Sequence, residues 1–315
     1  MNNLIRLIGR RLIALPLMIL GVTLLVFVIM SLSPIDPAYS ALGESASDAQ
    51  LQEYRELYGL NDPVYVQFGR YIVGMLHGDL GVYGKSALSV SDKVLTALPL
   101  TMQLTFLGLL IAVAVAFPLG IIAAIYRDRW PDQVIRILSV ACIATPSFWL
   151  AILLIVIFLG KLPVSGALPP LTDNPGGWFL RMLLPALALA VPVIGQLTRV
   201  VRTSMVEELD RDYVRTALGA GIPRRIVISR NVLRNALITP VTVLGLRVGY
   251  LMGGAVIIEI IFSLQGMGRV LIDGITNNWV TVVQGATLVV AMAFIVVNIV
   301  VDLLYVLINP RIRAV

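Results

Sequence analysis

The sequence predicts an all-α polytopic membrane protein with six transmembrane helices, and three observations support that fold class. Of the 315 residues, 58% are hydrophobic and only 13% are charged, whereas soluble domains are closer to one quarter charged. The apolar residues fall in runs of about 20 or more, long enough to cross a hydrocarbon layer of roughly 30 Å as helices. The net charge of +6 comes from arginines that cluster in alternate connections, which is typical of cytoplasmic loops.

The predicted spans follow one another along a single transmembrane domain, residues 1–315. They cover about residues 12–32, 100–126, 134–159, 182–201, 238–262 and 282–308. The first run is too long for a signal peptide, so we expect it to be a retained helix. The positions of the arginines predict that both termini are cytoplasmic, that residues 33–98 form an extracytoplasmic insertion and that residues 204–235 form a cytoplasmic loop.

Composition excludes several classes of function. The chain has one cysteine, Cys142, and one histidine, His77, so it offers neither a disulfide framework nor a histidine-rich metal site. Gly84-Lys85-Ser86 resembles the end of a phosphate-binding loop, but that motif needs a glycine where Asp79 stands. We therefore predict no catalytic residues, no metal, no cofactor and no nucleic-acid partner.

Two local features inside these regions predict structure. Residues 48–58 form an amphipathic pattern that ends at Gly59 and Pro63, which predicts a short helix in the outer insertion. Pro146 lies within the third apolar run and predicts a kink there, because proline removes one helical hydrogen bond.

A polar stretch between the fourth and fifth spans has the pattern of a short helix. Tyr213, Ala217 and Ala220 fall at the i, i+4 and i+7 positions of one helical face. Gly219 and Gly221 then predict its end, since glycine adopts positive φ without a steric penalty. A short, glycine-ended helix between two membrane spans suits a surface that another protein grips. A plain basic loop on the cytoplasmic side is the alternative interpretation.

Several motifs show a resemblance to one transporter family. Asp212-Tyr213-Val214-Arg215-Thr216-Ala217, Gly221 and Arg234-Asn235-Ala236-Leu237 resemble the cytoplasmic loop of ABC importer permeases, closest to the dipeptide/oligopeptide/nickel branch. Phe262-Ser263-Leu264-Gln265-Gly266-Met267-Gly268-Arg269 resembles another motif of that branch, with Gln265 in place of its proline. The resemblance covers nearly the whole chain.

That resemblance implies a fold, a function and partners. The fold is that of a type I ABC importer permease, in the cell inner membrane. The function is uptake of di- or oligopeptides delivered by an extracytoplasmic binding protein. A second, homologous permease subunit and two ABC ATPase subunits that hydrolyse ATP complete the complex, and membrane lipid surrounds it. The residues expected to dock an ATPase are Asp212, Tyr213, Arg215, Thr216, Ala217 and Gly221.

Other functions stay open as alternatives. A nickel, glutathione or other small-solute importer of the same branch would share these motifs. An ion-coupled secondary transporter would need mid-membrane acidic or histidine residues and internal repeats, and an intramembrane enzyme would need a facing nucleophile–base or carboxylate pair. The sequence shows none of these features.

Charged residues within spans are candidates for the transport pathway, because a charge in the bilayer costs a few kcal/mol unless it faces water or a partner. Arg247 and Asp302 lie at similar depth, about 12–15 Å from the cytoplasmic ends of their spans, so we expect them to approach each other or share a vestibule. Glu259 lies near the outer end of span five, where contact with lipid headgroups is the alternative. Trp149, in a stretch that resembles a family motif, is the fourth candidate.

Overall fold

The computed structural model describes the backbone of residues 2–34, 36–43 and 46–308, and the side chains of residues 14–34, 36–43 and 46–300. The described chain is almost entirely helical, which confirms the all-α class. Five of its helices are long and apolar enough to cross a membrane. These are α1 Asn2–Ser31, α5 Val90–Ile125, α8 Pro175–Leu209, α12 Ile238–Ile261 and α14 Val280–Ile308.

The third apolar run is bent far more sharply than the predicted kink. It consists of α6 Trp130–Ala144 and α7 Ser147–Phe158, which meet at an angle of 100°. Thr145 has extended backbone with ψ of 116°, because a residue before proline is driven out of the helical region. The predicted break at Pro146 is therefore present, and the described chain has six spans if this bent pair is taken as one.

Two spans are longer than hydropathy predicted. Helix α5 begins at Val90 rather than near residue 100, because the Ser89 side chain accepts a hydrogen bond from the Asp92 N–H and caps it. Helix α8 begins at Pro175, after the Asn174 cap, and continues to Leu209. Polar helical ends extend beyond the apolar layer, and hydropathy alone does not detect them.

The outer insertion folds into three short helices and a hairpin. The helices are α2 Pro37–Leu42, α3 Asp48–Leu57 and α4 Val64–Leu76, and strands β1 Val82–Tyr83 and β2 Leu88–Ser89 pair antiparallel. Helix α3 lies where the sequence predicted a short helix, and a capping box between Ser47 and Gln50 begins it. The Gly84-Lys85-Ser86 motif lies in the hairpin turn and does not lead into a helix, so it lacks the geometry of a phosphate-binding loop.

The buried side chains form two clusters. The larger cluster joins α5 and α8 with α7 and α12, through residues such as Leu104, Leu189 and Ile258. The smaller cluster joins the start of α5 to α14 and to helix α13 Met267–Thr276, through Val94, Met267 and others. Helix α5 belongs to both clusters and links them.

The connections between helices gather at two opposite ends of the long helices. At one end, the Arg181 side chain holds the carbonyl oxygens of Gly166 and Phe262. At the other, Arg127 forms a 2.8 Å ion pair with Asp210, which joins the α5–α6 turn to the end of α8. Alternation of connections between two ends is the arrangement that a multispan membrane protein requires.

Candidate docking surface and membrane pathway

The predicted short helix is present as α9 Asp212–Gly219. It ends in a Schellman motif, in which the Ile222 N–H donates to the Ala217 carbonyl at 3.1 Å and the Gly221 N–H to the Leu218 carbonyl at 3.0 Å. Gly221 has φ of +78°, and a Cβ placed there would meet no atom within 4 Å. Glycine is therefore needed at residue 221 for its backbone conformation and not for space.

The inner face of α9 packs on the chain's own core. Tyr213 and Ala217 are partly buried against the larger hydrophobic cluster. The Tyr213 hydroxyl donates to Glu208 Oε2 at 2.8 Å and lies 3.5 Å from Asn235 Nδ2. Burial raises the pKa of Tyr213, which keeps that hydroxyl protonated as a donor. Tyr213 and Ala217 thus pack partly on the protein's own core, and their contact with a partner subunit stays a prediction.

The outer face of α9 carries the polar residues. The side chains of Asp212 and Arg215 are 99% and 78% exposed, and their nearest charged atoms are 3.9 Å apart. Thr216, also exposed, donates to the Asp212 carbonyl at 3.0 Å. An exposed ion pair at that distance is weak, so both charges are available to a partner. Asp212, Arg215 and Thr216 are therefore the exposed polar residues of α9.

The chain returns from α9 to the membrane through helix rather than loop. Pro223 precedes α10 Arg224–Ile226, which continues as a π-helix Val227–Val232 and α11 Leu233–Ala236. Val227 and Val232 are both buried, five residues apart, which is the hydrogen-bond spacing of a π-helix. The wider turn places both valines on the core and keeps the arginines outside.

An ion pair with a buried acid joins α6 to the C-terminal part of α8, just before α9. Asp132, in the first turn of α6, is fully buried and receives Arg202 Nε at 2.5 Å and Arg202 Nη2 at 2.6 Å. It also accepts the Asp128 N–H at 2.9 Å. Sequence analysis missed this pair, although an acid at a helix N-terminus and an arginine at the end of a span were both visible.

Glu259 is a structural acid at the outer end. It is fully buried, and its carboxylate accepts the Thr101 hydroxyl at 2.6 Å and the Gly268 N–H at 2.7 Å. The Met267 N–H in turn donates to Thr101 Oγ1 at 2.9 Å. Glu259 and Thr101 thus each satisfy one free N–H group at the start of α13. Its expected roles at a pathway or at lipid headgroups are corrected, since it reaches neither water nor lipid.

The Arg181 side chain lies at the end of α12, the helix that carries Glu259. It is 2% exposed and donates to the Phe262 carbonyl at 2.6 Å, where α12 ends. A cation at a helix C-terminus is stabilised by the free carbonyl groups there. The sequence pattern did not predict the burial of Arg181.

The remaining pathway candidates are Arg247, Asp302 and Trp149. Arg247 is half-buried, and its Nε atom has no hydrogen-bond partner among the described residues. The side chain of Asp302 lies outside the described residues, so the expected approach of these two charges stays a prediction. Trp149, on α7, is 51% exposed. Among the residues described, no three His, Cys, Asp or Glu side chains are grouped to hold a metal.

Comparison with known proteins identifies the family. The model of the family described as binding-protein-dependent transport system inner membrane component matches residues 116–314, and the model of its N-terminal region matches residues 4–105. A D,D-dipeptide transport system permease protein of Escherichia coli is 39% identical, over 94% of each chain.

Two further relatives are similar over almost their full length. A peptide transport system permease protein of Brucella abortus is 39% identical, over 95% of this chain and 96% of its own. A glutathione transport system permease protein of Salmonella paratyphi A is 38% identical, over 96% and 97%. The chain therefore belongs to the family of binding-protein-dependent inner membrane transport components, and it is a permease subunit of an ABC importer rather than an enzyme.

Proposed function

We propose that this permease subunit imports short peptides and that it is driven through the outer face of α9. The relatives that support a peptide solute are the dipeptide and peptide permeases. Glutathione is itself a tripeptide, so the third relative belongs to the same chemical class. A nickel or other small-solute importer is the alternative within the branch.

The observation that supports the drive mechanism is the division of α9 into two faces. Its inner face is fixed to the core by Tyr213 and Ala217, whereas Asp212, Arg215 and Thr216 project outward. A groove on an ATPase subunit that grips this outer face would move the helix and the core beneath it as one body. Two such ATPase subunits, an extracytoplasmic binding protein and a second permease subunit complete the proposed assembly.

The exposed apolar surface supports a membrane and subunit environment. Side chains in the middle of the spans are widely exposed, including Phe106 at 66%, Leu110 at 53% and Leu246 at 72%. Apolar surface of this extent is stable only against lipid or another subunit. We assign the sides from the arginines, with both termini, α9 and the π-helix in the cytoplasm and residues 33–98 outside.

Cysteine labelling tests the assignment of sides. Native Cys142 is first replaced by alanine, and single cysteines are then placed at residues 50, 170 and 275, or at 130 and 222. A membrane-impermeant thiol reagent should label the first set from outside and the second only after the membrane is opened. Labelling of residue 222 from outside would overturn the topology and the docking proposal together.

Transport assays test the function. The permease is reconstituted in proteoliposomes with its partner subunits, and uptake of a labelled dipeptide, glutathione and Ni²⁺ is compared. We expect ATP-dependent uptake of the dipeptide, and uptake of Ni²⁺ alone would contradict the proposal. Thr216→Trp should abolish uptake and ATPase association, because it obstructs the outer face of α9. Ser229→Trp, an exposed position outside α9, is the matched control and should leave both intact.

A further inference from the structure

A cavity adjoins α9, at the end of the membrane spans. Its volume is about 510 Å³, and it lies between the end of α5, the end of α8, α9 and the π-helix. That volume falls within the range of roughly 300–1,000 Å³ found for small-molecule sites. Its apolar walls are formed by Ala124, Ile125, Val206, Leu209, Val214, Leu218, Val227 and Ile228.

Arginines at this cavity make it cationic. Arg127, Arg129 and Arg224 line it, together with one acid, Asp210. Asp210 pairs with Arg127 at 2.8 Å, and Arg127 also lies 3.5 Å from Asp128. Within the described part of the chain, no carboxylate forms an ion pair with Arg129 or Arg224. The cavity thus combines apolar walls with two arginines available to an anion.

Aromatic residues place the cavity at the depth of lipid headgroups. Tyr126 lines it and is 45% exposed, and Trp130, in the adjoining turn, is 76% exposed. Tyrosine and tryptophan are enriched at the membrane–water interface, where the ring contacts lipid and the polar atom contacts water. Apolar helix α5 also ends here, at Ile125. A molecule in the cavity therefore lies where headgroup and acyl chain meet.

We propose that this cavity binds one anionic phospholipid. Arg129 and Arg224 hold the phosphate group, and the apolar walls accept the first part of an acyl chain. Basic pockets between helix ends are suited to anionic headgroups. Because Val214 and Leu218 of α9 form part of the wall, a bound lipid would contact α9 directly and stabilise its position. This inference needs only a membrane-embedded chain and is independent of the solute proposed above.

Native mass spectrometry of the purified full chain tests the proposal. The probes are phosphatidylglycerol, phosphatidylcholine with the same acyl chains, and inorganic phosphate. We expect one tightly retained phosphatidylglycerol and no comparable retention of phosphatidylcholine. Arg129→Gln and Arg224→Gln should each weaken retention about fivefold, since one arginine near a headgroup is worth about 1 kcal/mol. Leu218→Trp should also weaken it, by filling the cavity.

Controls separate a built site from general charge. Arg225 is exposed next to Arg224 but does not line the cavity, so Arg225→Gln should retain the lipid, as should the charge-preserving Arg129→Lys. Equal loss with Arg225→Gln, equal retention of the two lipids, or displacement by millimolar phosphate would each overturn the proposal. The proposal would also be overturned if the Arg129→Gln and Arg224→Gln variants retained lipid normally but failed to bind ATPase. That result would mean that the cavity binds a protein segment.

Discussion

Two fully buried acids lie near opposite ends of the bundle, and they are stabilised in different ways. Asp132, at the end proposed to be cytoplasmic, is matched by the two nitrogen atoms of Arg202. Glu259, at the end proposed to be outer, forms no ion pair among the described residues and is matched by a hydroxyl and a backbone N–H. A paired charge holds two separate helices together, α6 and α8. A carboxylate bonded to backbone instead fixes the start of one helix, α13, on its neighbour.

The difference predicts where the bundle can move. At the α6–α8 contact, the Asp132–Arg202 pair can separate only at a large cost because Asp132 is shielded from water. At the α12–α13 corner, Glu259 binds a backbone N–H of α13 and the Thr101 hydroxyl of α5, so this corner joins three helices. We therefore expect helix motion during transport to leave both contacts intact and to occur elsewhere. Three substitutions test how firmly the contacts are held, and a fourth tests a site that belongs to neither.

The largest effect is expected where a buried charge loses its partner. Arg202→Met removes both hydrogen bonds from a cation to buried Asp132 and leaves only Arg136 Nε nearby, at 3.7 Å, which should cost about 3–5 kcal/mol of stability. Thermal unfolding in detergent measures it. Arg199→Met, on the same helix but exposed, should change stability by less than about 0.5 kcal/mol. Adding Asp132→Asn to Arg202→Met should restore part of the loss, and no restoration would show that the pair is not the source.

The outer network should respond to loss of one hydroxyl. Thr101→Val removes the donor to Glu259 and the acceptor of the Met267 N–H, at about 1–3 kcal/mol for each group left unpaired. Hydrogen exchange at the first amides of α13 should quicken. Thr105, one turn along α5, is buried and its hydroxyl has no partner among the described residues. Thr105→Val should therefore be neutral or stabilising, and equal losses at both positions would refute the assigned network.

A smaller effect is expected at Gly266. A Cβ there would overlap the Glu259 carboxylate, so Gly266→Ala should cost about 1–3 kcal/mol by displacing the acid from α13. Gly253, in the middle of α12, has no neighbour within 4 Å of an added Cβ. Gly253→Ala should instead stabilise by up to about 1 kcal/mol, as alanine does in a helix. Unfolding midpoints of the two variants should thus shift in opposite directions.

The smallest effect is expected at Gly221, which touches neither acid. Its φ of +78° makes Gly221→Ala cost about 1 kcal/mol through backbone strain alone. Proteolysis or hydrogen exchange confined to α9 should detect it, while the unfolding of the long helices stays unchanged. A global loss of stability would mean that the Schellman end supports the core as well.

The sequence predicted the features that depend on local pattern. The apolar spans, the capped helix α3 and the glycine-ended α9 all follow from hydropathy and terminal residues. Features that depend on distant partners were not predicted. Asp132 and Arg202 are separated by 70 residues, and Thr101 and Glu259 by 158. Helical periodicity showed that Tyr213 and Ala217 share a face, but not which neighbour that face meets.

The spacing of two arginines of α8, buried Arg181 and ion-paired Arg202, has a consequence for the membrane itself. Arg181 and Arg202 lie 21 residues apart on one helix, which is about 31 Å along its axis. The hydrocarbon layer of a typical bilayer is about 30 Å thick. The distance between the two guanidinium groups along α8 therefore matches the thickness of the hydrocarbon layer, with one guanidinium near each surface. A thicker bilayer would draw one of these cations into hydrocarbon, so acyl-chain length should set how far α8 tilts.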